Sequence, residues 1–142
     1  MSLNPEIWGP HFWFVLETIS ITYPLHPNDV SKKKYYDFIQ NLPLFIPNPE
    51  IGNNFSKLID TFPVTPYLDS RLSFMKWINF IHNKINKELN KPEIKLYEGL
   101  ENYYKQYKPK KPEKKSKKEL YYKIIIGTLV VLIIYLYNIN EN

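Results

Sequence analysis

Twelve prolines punctuate this chain, and they constrain its fold more than any other feature. A proline inside a helix removes a backbone donor and crowds the preceding turn, so helices tend to stop where one appears. Between the prolines, apolar residues recur at helical spacing. A first helix is predicted to begin at Pro10 and to carry Phe12, Trp13, Val15, Leu16, Ile19 and Tyr23 before Pro24 and Pro27 end it. Asn28 or Ser31 can cap a second, with Tyr35, Phe38, Ile39 and Leu42, which stops near Pro43. Asn48 suits the N-cap of a third, Pro49 its first turn, and Glu50 the positive end of its dipole, with Phe55, Leu58 and Ile59 buried. Asp69 is expected to cap the longest helix, whose stripe runs through Leu72, Met75, Ile78, Ile81 or His82, Ile85 and Leu89 until Pro92. A shorter fifth covers Lys95 to about Gln106. Nothing alternates at strand period with a hairpin turn, so the expected fold is all-α: a four-helix bundle plus a short fifth helix.

Charge divides the chain. Up to Tyr104 ten basic residues nearly balance eleven acidic ones, whereas Lys105–Lys118 holds eight lysines and one glutamate. Such a run, without stacking aromatics in an ordered motif, reads as a solvated linker or membrane flank, not as a nucleic-acid grip. With Pro109 and Pro112 it cannot bury a core, so 108–119 is expected to be a loose linker after a domain over 1–107. Heavy use of Lys, Asn, Ile and Tyr with no alanine fits an AT-rich genome, as some viruses have.

The chain ends in an uncharged stretch from Ile124 to Tyr137. That run falls short of the roughly 18–20 residues of a spanning helix. Counted over 120–139 it is long enough, with Tyr121 and Tyr122 at one interface, Tyr135 and Tyr137 at the other, and Lys123 snorkelling. A buried terminal helix or strand is the alternative, which a lysine-rich tether disfavours. The expectation is a single-pass C-terminal membrane anchor, with the lysines and the domain on the cytosolic side. The N-terminus shows no charged segment leading into an apolar run, so no signal peptide is expected.

The absence of cysteine removes disulfides, thiolate metal sites and cysteine nucleophiles together. His11, His26 and His82 are too scattered for a metal site, and no glycine-rich phosphate loop occurs. Trp13 on an apolar face reads first as a core residue, although Gly9 four residues earlier would let a planar ligand approach bare backbone. His82, Asn86 and Leu89 share a helix face, with Asn83 partly aside and Lys87 and Lys91 one turn apart. Imidazole, amide and ammonium in succession suit an adenine ring and a pyrophosphate. An ordinary amphipathic helix with a polar edge would read the same way.

Three segments carry a resemblance. Trp8-Gly9-Pro10-His11-Phe12-Trp13-Phe14-Val15-Leu16-Glu17-Thr18, running on to Tyr23-Pro24, resembles the Gly-x-x-x-Trp-x-x-Leu-His-Thr segment of the Erv/ALR family of FAD-linked sulfhydryl oxidases. Phe45-Ile46-Pro47-Asn48-Pro49-Glu50-Ile51 is similar to that family's Pro-Cys-x-x-Cys helix start. His82-Asn83-Lys84-Ile85-Asn86-Lys87-Glu88-Leu89-Asn90-Lys91-Pro92 matches its His-Asn-x-Val-Asn-x-x-Leu-x-Lys-Pro closely. The resemblance spans about Trp8 to Tyr104 and implies a bundle that holds FAD, often as a homodimer. The cofactor-binding positions it implies are Gly9, Trp13, Glu17, Tyr23, His82, Asn83, Asn86, Lys87, Leu89, Lys91 and Tyr103.

The departures are as informative. Asn48 and Ile51 stand where the catalytic cysteines belong, and in the family that dithiol takes electrons from substrate and passes them to FAD, which reduces oxygen. A helix N-terminus lowers thiol pKa there, and neither an amide nor a branched alkyl group replaces a thiolate. Asn79 and Leu96 occupy positions where some relatives carry further cysteines, and Glu17 replaces the expected histidine. The expected protein is a membrane-anchored, non-catalytic homologue that retains FAD and serves as a binding or structural module at a host or virion membrane. It would pair with itself or with a cysteine-bearing paralogue. The alternative is an active FAD-dependent thiol oxidase whose cysteines are replaced in this chain.

Overall fold

Pro5, not Pro10, opens the first helix of the computed structural model, which describes residues 3–109 and 117–140. Helix α1 runs Pro5–Ile21, and the Asn4 side chain caps it by accepting from the Glu6 N–H. Pro5 sits in the first turn, where its missing donor costs nothing, whereas Pro10 lies inside α1 and the helix continues past the one bond it removes. Helix α2 (Asp29–Asn41) is capped by Asn28, whose Oδ1 accepts from Ser31 N, so Ser31 receives the cap and does not supply it. A 3-10 turn, Leu42–Phe45, follows without a break. Helix α3 (Pro49–Thr61) begins as its sequence predicts, with Asn48 Oδ1 accepting from both Glu50 N and Ile51 N.

Helix α4 (Arg71–Glu88) is capped by Ser70, not Asp69. Asp69 instead receives the Lys32 ammonium at 2.7 Å, tying α4's approach to α2. Leu72 and Leu89, expected on the buried stripe, are exposed; Phe74 and Trp77 take the buried places with Ile78 and Ile81. Helix α4 stops before Pro92 is reached. Asn90 adopts a left-handed conformation (φ 55°), with Asn90 N–H donating to Lys87 O and Lys91 N–H to Asn86 O. This pair of reversed bonds closes the orphan carbonyls of the last turn. Helix α5 (Leu96–Lys105) is short and has no side-chain cap.

The core of this unit, which ends at Tyr107, joins Leu16 of α1, Ile39 of α2, Phe55 and Ile59 of α3 and the inner face of α4. Its two largest side chains each keep a polar handle satisfied: Trp77 Nε1 donates to Phe62 O and Tyr23 OH to Leu68 O. Tyr35 meets Tyr23 and Phe74 edge to face, and those two rings pack at a tilt. The Arg71 guanidinium donates to the Tyr23 carbonyl, fixing the end of α1 against the start of α4. Among the described residues there is no strand, so the all-α expectation and the four-plus-one helix count hold.

The second unit holds helix α6, Lys117–Asn140. Its Leu120–Asn140 stretch, 21 residues, is long and apolar enough to cross a membrane. The helix starts at Lys117, so the last three positions of the expected 108–119 linker are helical; most of the remainder, 110–116, lies outside the described residues.

Gly52 of α3 is where the fold tolerates least. A Cβ there would meet the Pro43 carbonyl oxygen at 2.7 Å, a backbone atom of the 3-10 turn that cannot rotate away. Gly52→Ala is expected to destabilise the protein by about 1–2 kcal/mol even after alanine's better helix propensity is counted, read as a lowered thermal midpoint.

Candidate functional site

Four helices turn one face each toward a single cavity of about 650 Å³. Helix α1 presents Gly9, Trp13 and Glu17, four residues apart and therefore stacked on one face. Helix α3 contributes Ile51, Asn54, Phe55 and Leu58, helix α4 Asn79, His82, Ile85, Asn86 and Leu89, and helix α5 Gly99, Asn102, Tyr103 and Gln106. Lys91 joins them because the left-handed turn at Asn90 brings the chain back after α4. The size falls inside the roughly 300–1,000 Å³ of ordinary ligand pockets, and the walls are mainly aromatic and aliphatic.

At one wall the Trp13 indole lies face to face with the His82 imidazole, ring centroids 3.9 Å apart and planes within 8°. No third ring fits between them. His82 titrates at about 4, far below its ordinary value, because burial disfavours the cation and the Lys91 ammonium adds to that. Burial also raises the Glu17 carboxyl above the usual carboxylate range. Glu17 Oε1 and His82 Nδ1 stand 3.9 Å apart, too long for a hydrogen bond. Burial dominates this pair and favours the neutral form of each partner. Gly9 matters for the space it leaves: a Cβ there would meet no protein atom within 4 Å.

Of the residues the sequence singled out, the cavity wall includes Gly9, Trp13, Glu17, His82, Asn86, Leu89, Lys91, Tyr103 and Ile51. Of the expected cofactor-binding positions, Tyr23, Asn83 and Lys87 are placed elsewhere. Tyr23 is fully buried in the core with its hydroxyl on Leu68 O, since the end of α1 turns into the bundle. Asn83 exchanges two hydrogen bonds with the backbone of Ile94, each 2.9 Å, so its amide is spent on chain–chain contact. Lys87 points to solvent from the outer side of α4. Asn48 is not in the wall either; its side chain occupies the α3 N-terminus. Sequence reasoning missed Phe12, Ile46, Asn54, Asn102 and Gln106. Asn54, at the same helical spacing as Ile51 and Leu58, could have been found from that register; Asn102 and Gln106 follow only once the position of α5 is known.

The assembly is a small helical bundle around an aromatic-walled, cofactor-sized cavity, with the N-terminal turn of α3 contributing Ile51 to its wall. The Erv1/Alr family model matches residues 10–110, and the chain belongs to that family. It is similar to the protein named probable FAD-linked sulfhydryl oxidase of Acanthamoeba polyphaga mimivirus, 30% identical over 100 residues that cover 70% of each chain. It is also similar to the FAD-linked sulfhydryl oxidase of African swine fever virus, 30% identical over 99 residues covering 70% of this chain and 81% of that one. In three dimensions it resembles the FAD binding domain of Erv1 from Saccharomyces cerevisiae (TM-score 0.63, 27% identity), covering 67% of this chain and 89% of that domain. The chain has no cysteine, and Asn48 and Ile51 stand where the sequence resemblance expects the family's catalytic pair.

Two outcomes follow from the geometry. The unfolded chain protonates His82 near its ordinary 6.5 and the folded chain only near 4, so between these values the unfolded state binds more protons. Stability should therefore fall as pH drops through that window, by on the order of 3 kcal/mol in full. Glu17, with its raised carboxyl, works the other way and loses its contribution as pH rises. His82→Gln should abolish the loss on acidification, measured by urea unfolding across the window. Asn48→Ala should cost about 1 kcal/mol by uncapping α3, seen as a lower urea midpoint at unchanged slope.

Proposed function

We propose that this chain is a membrane-anchored, FAD-retaining member of its family that does not oxidise thiols and acts as a binding or structural module. The observation that carries this is the α3 N-terminus: the helix start remains, yet Asn48 fills it with its own side-chain oxygen and Ile51 faces the cavity with an alkyl group. Neither can form a mixed disulfide, and no other residue of the chain supplies a thiol.

The residues present fit a flavin dinucleotide. The cavity has the size, its wall carries the Trp13–His82 stack, and Gly9 leaves open space where a side chain would intrude. Lys91 is the cation at the wall for a diphosphate, and Asn86, Leu89 and Tyr103 complete the lining around it. Glu17 would oppose an anionic ligand if ionised, and burial's push toward its neutral form removes that objection. Bound FAD would supply a redox-active ring system. What the chain itself supplies is a mainly apolar cavity beside the Trp13–His82 stack and a neutral imidazole.

Helix α6 anchors the protein by its C-terminal segment, with the tyrosines near both ends of Leu120–Asn140 at the interfaces. The lysine excess before it puts the domain on the cytosolic side, at a host or virion membrane, in keeping with the viral relatives. The domain pairs with a second copy or with a cysteine-bearing paralogue.

One observation favours a second reading, in which the biological protein is an active thiol oxidase. Asn48 and Ile51 keep the spacing of the reactive pair on an intact helix start, so the scaffold for it is not lost. Purified protein should be yellow, with flavin absorbance that Gly9→Leu removes while the helical circular dichroism stays, because Gly9 lines the cavity and a Cβ there meets no protein atom within 4 Å. Oxygen consumption with dithiothreitol should not exceed that of free flavin. A folded but colourless parent would sink FAD retention. Turnover above free flavin by the cysteine-free chain would sink the non-catalytic reading, and turnover gained by the Asn48→Cys, Ile51→Cys variant would favour the second.

A further inference from the structure

Helix α5 forms one wall of the cavity through Gly99, Asn102, Tyr103 and Gln106, yet nothing in its own sequence fixes where it lies. Ten residues are too few for a helix that stands alone in water, and its first turn lacks a side-chain cap. Its position must come from tertiary bonds. At its far end the Tyr103 hydroxyl meets Thr18 Oγ1 of α1 at 2.9 Å and the Tyr107 hydroxyl at 2.8 Å.

At its near end a different device operates. The Asn83 amide pairs with both backbone groups of one residue, as a neighbouring strand would: its Nδ2 donates to Ile94 O and its Oδ1 accepts from Ile94 N, each at 2.9 Å. Asn79, one turn earlier, donates to the same Ile94 carbonyl at 3.1 Å. Gly99 then rests on this fastening, a Cβ there lying 3.8 Å from both Asn79 Nδ2 and Ile94 Cγ2. Ile94 itself lines the cavity, and Asn83 does not.

We infer that Asn83 is a positioning residue: through Ile94 it fixes the α5 wall and so sets the cavity's capacity for its ligand without touching that ligand. This rests on the cofactor reading of the cavity given above. A reciprocal amide–backbone pair cannot be kept by a side chain with only acceptors. Asn83→Asp retains an acceptor for Ile94 N–H but turns an oxygen toward Ile94 O, and Asn83→Ala loses both bonds.

The test uses the full chain in detergent micelles, with FAD affinity measured by fluorescence titration and amide exchange measured without FAD. Asn83→Ala should speed exchange across residues 91–105 while α1 to α4 keep their protection. It should weaken FAD binding about tenfold, the worth of roughly one net hydrogen bond to a buried wall. Asn83→Asp and Asn79→Ala should do the same to a smaller degree, and they carry the test if Asn83→Ala does not fold. Lys57→Ala, exposed on α3 and outside the cavity, should change neither quantity. Faster exchange with FAD affinity within twofold of the parent would overturn the inference, as would lost affinity with exchange unchanged, which would mean direct contact. A parent chain that takes up no FAD sinks the cofactor reading and, with it, Asn83's role in setting a ligand. The exchange comparison then reads the fastening separately, and unchanged exchange would remove that as well.

Discussion

The meeting of α1 with α4 is the contact on which the rest of the molecule depends. Leu16, Phe74, Trp77, Ile78 and Ile81 belong to one buried cluster, and the Arg71 guanidinium on the Tyr23 carbonyl ties the two helices where α1 ends and α4 begins. Further along the pair, Trp13 and His82 stack face to face in place of interdigitating aliphatics. Both rings line the cavity. The same burial that holds the bundle together keeps the imidazole neutral, and a neutral ring costs less to bury against indole than an imidazolium would.

The start of α3 shows how one helix terminus can serve either chemistry or stability. Unpaired N–H groups at a helix N-terminus stabilise negative charge, which is why such a place lowers a thiol's pKa. Here two of those donors are already engaged by the Asn48 side chain, and the position facing the cavity is an isoleucine. The terminus therefore carries a local cap, and the surrounding architecture holds it in place: Gly52 lies against the Pro43 carbonyl, and Phe55 and Ile59 face the core.

Around this rigid centre, the cavity is closed by parts held in other ways. The left-handed Asn90 returns the chain after α4 so that Lys91 and Ile94 reach the wall, and side-chain amides then fasten the last helix. These bonds are directional and few, unlike the nonspecific apolar burial that joins α1 to α4. The wall at α5 is accordingly the part of the cavity that single polar substitutions can move.

Much of this was legible in the sequence. Proline spacing and helical periodicity give the helices; the Asn48-Pro49-Glu50 start, the apolar stretch after Tyr122 and the missing cysteines are local facts that need no partner. The position of Gly9, Trp13 and Glu17 on one face follows from helical geometry alone. What only the tertiary structure decided is which polar group meets which neighbour. Asn83 reads as a ligand-binding amide until Ile94 is found beside it; Tyr23 reads as a site residue until the end of α1 is seen buried; Asp69 reads as a cap until Lys32 claims it. The difference is physical. Backbone preference and apolar periodicity act over a few residues, whereas a hydrogen bond is settled by whichever partner the packed core delivers within about 3 Å.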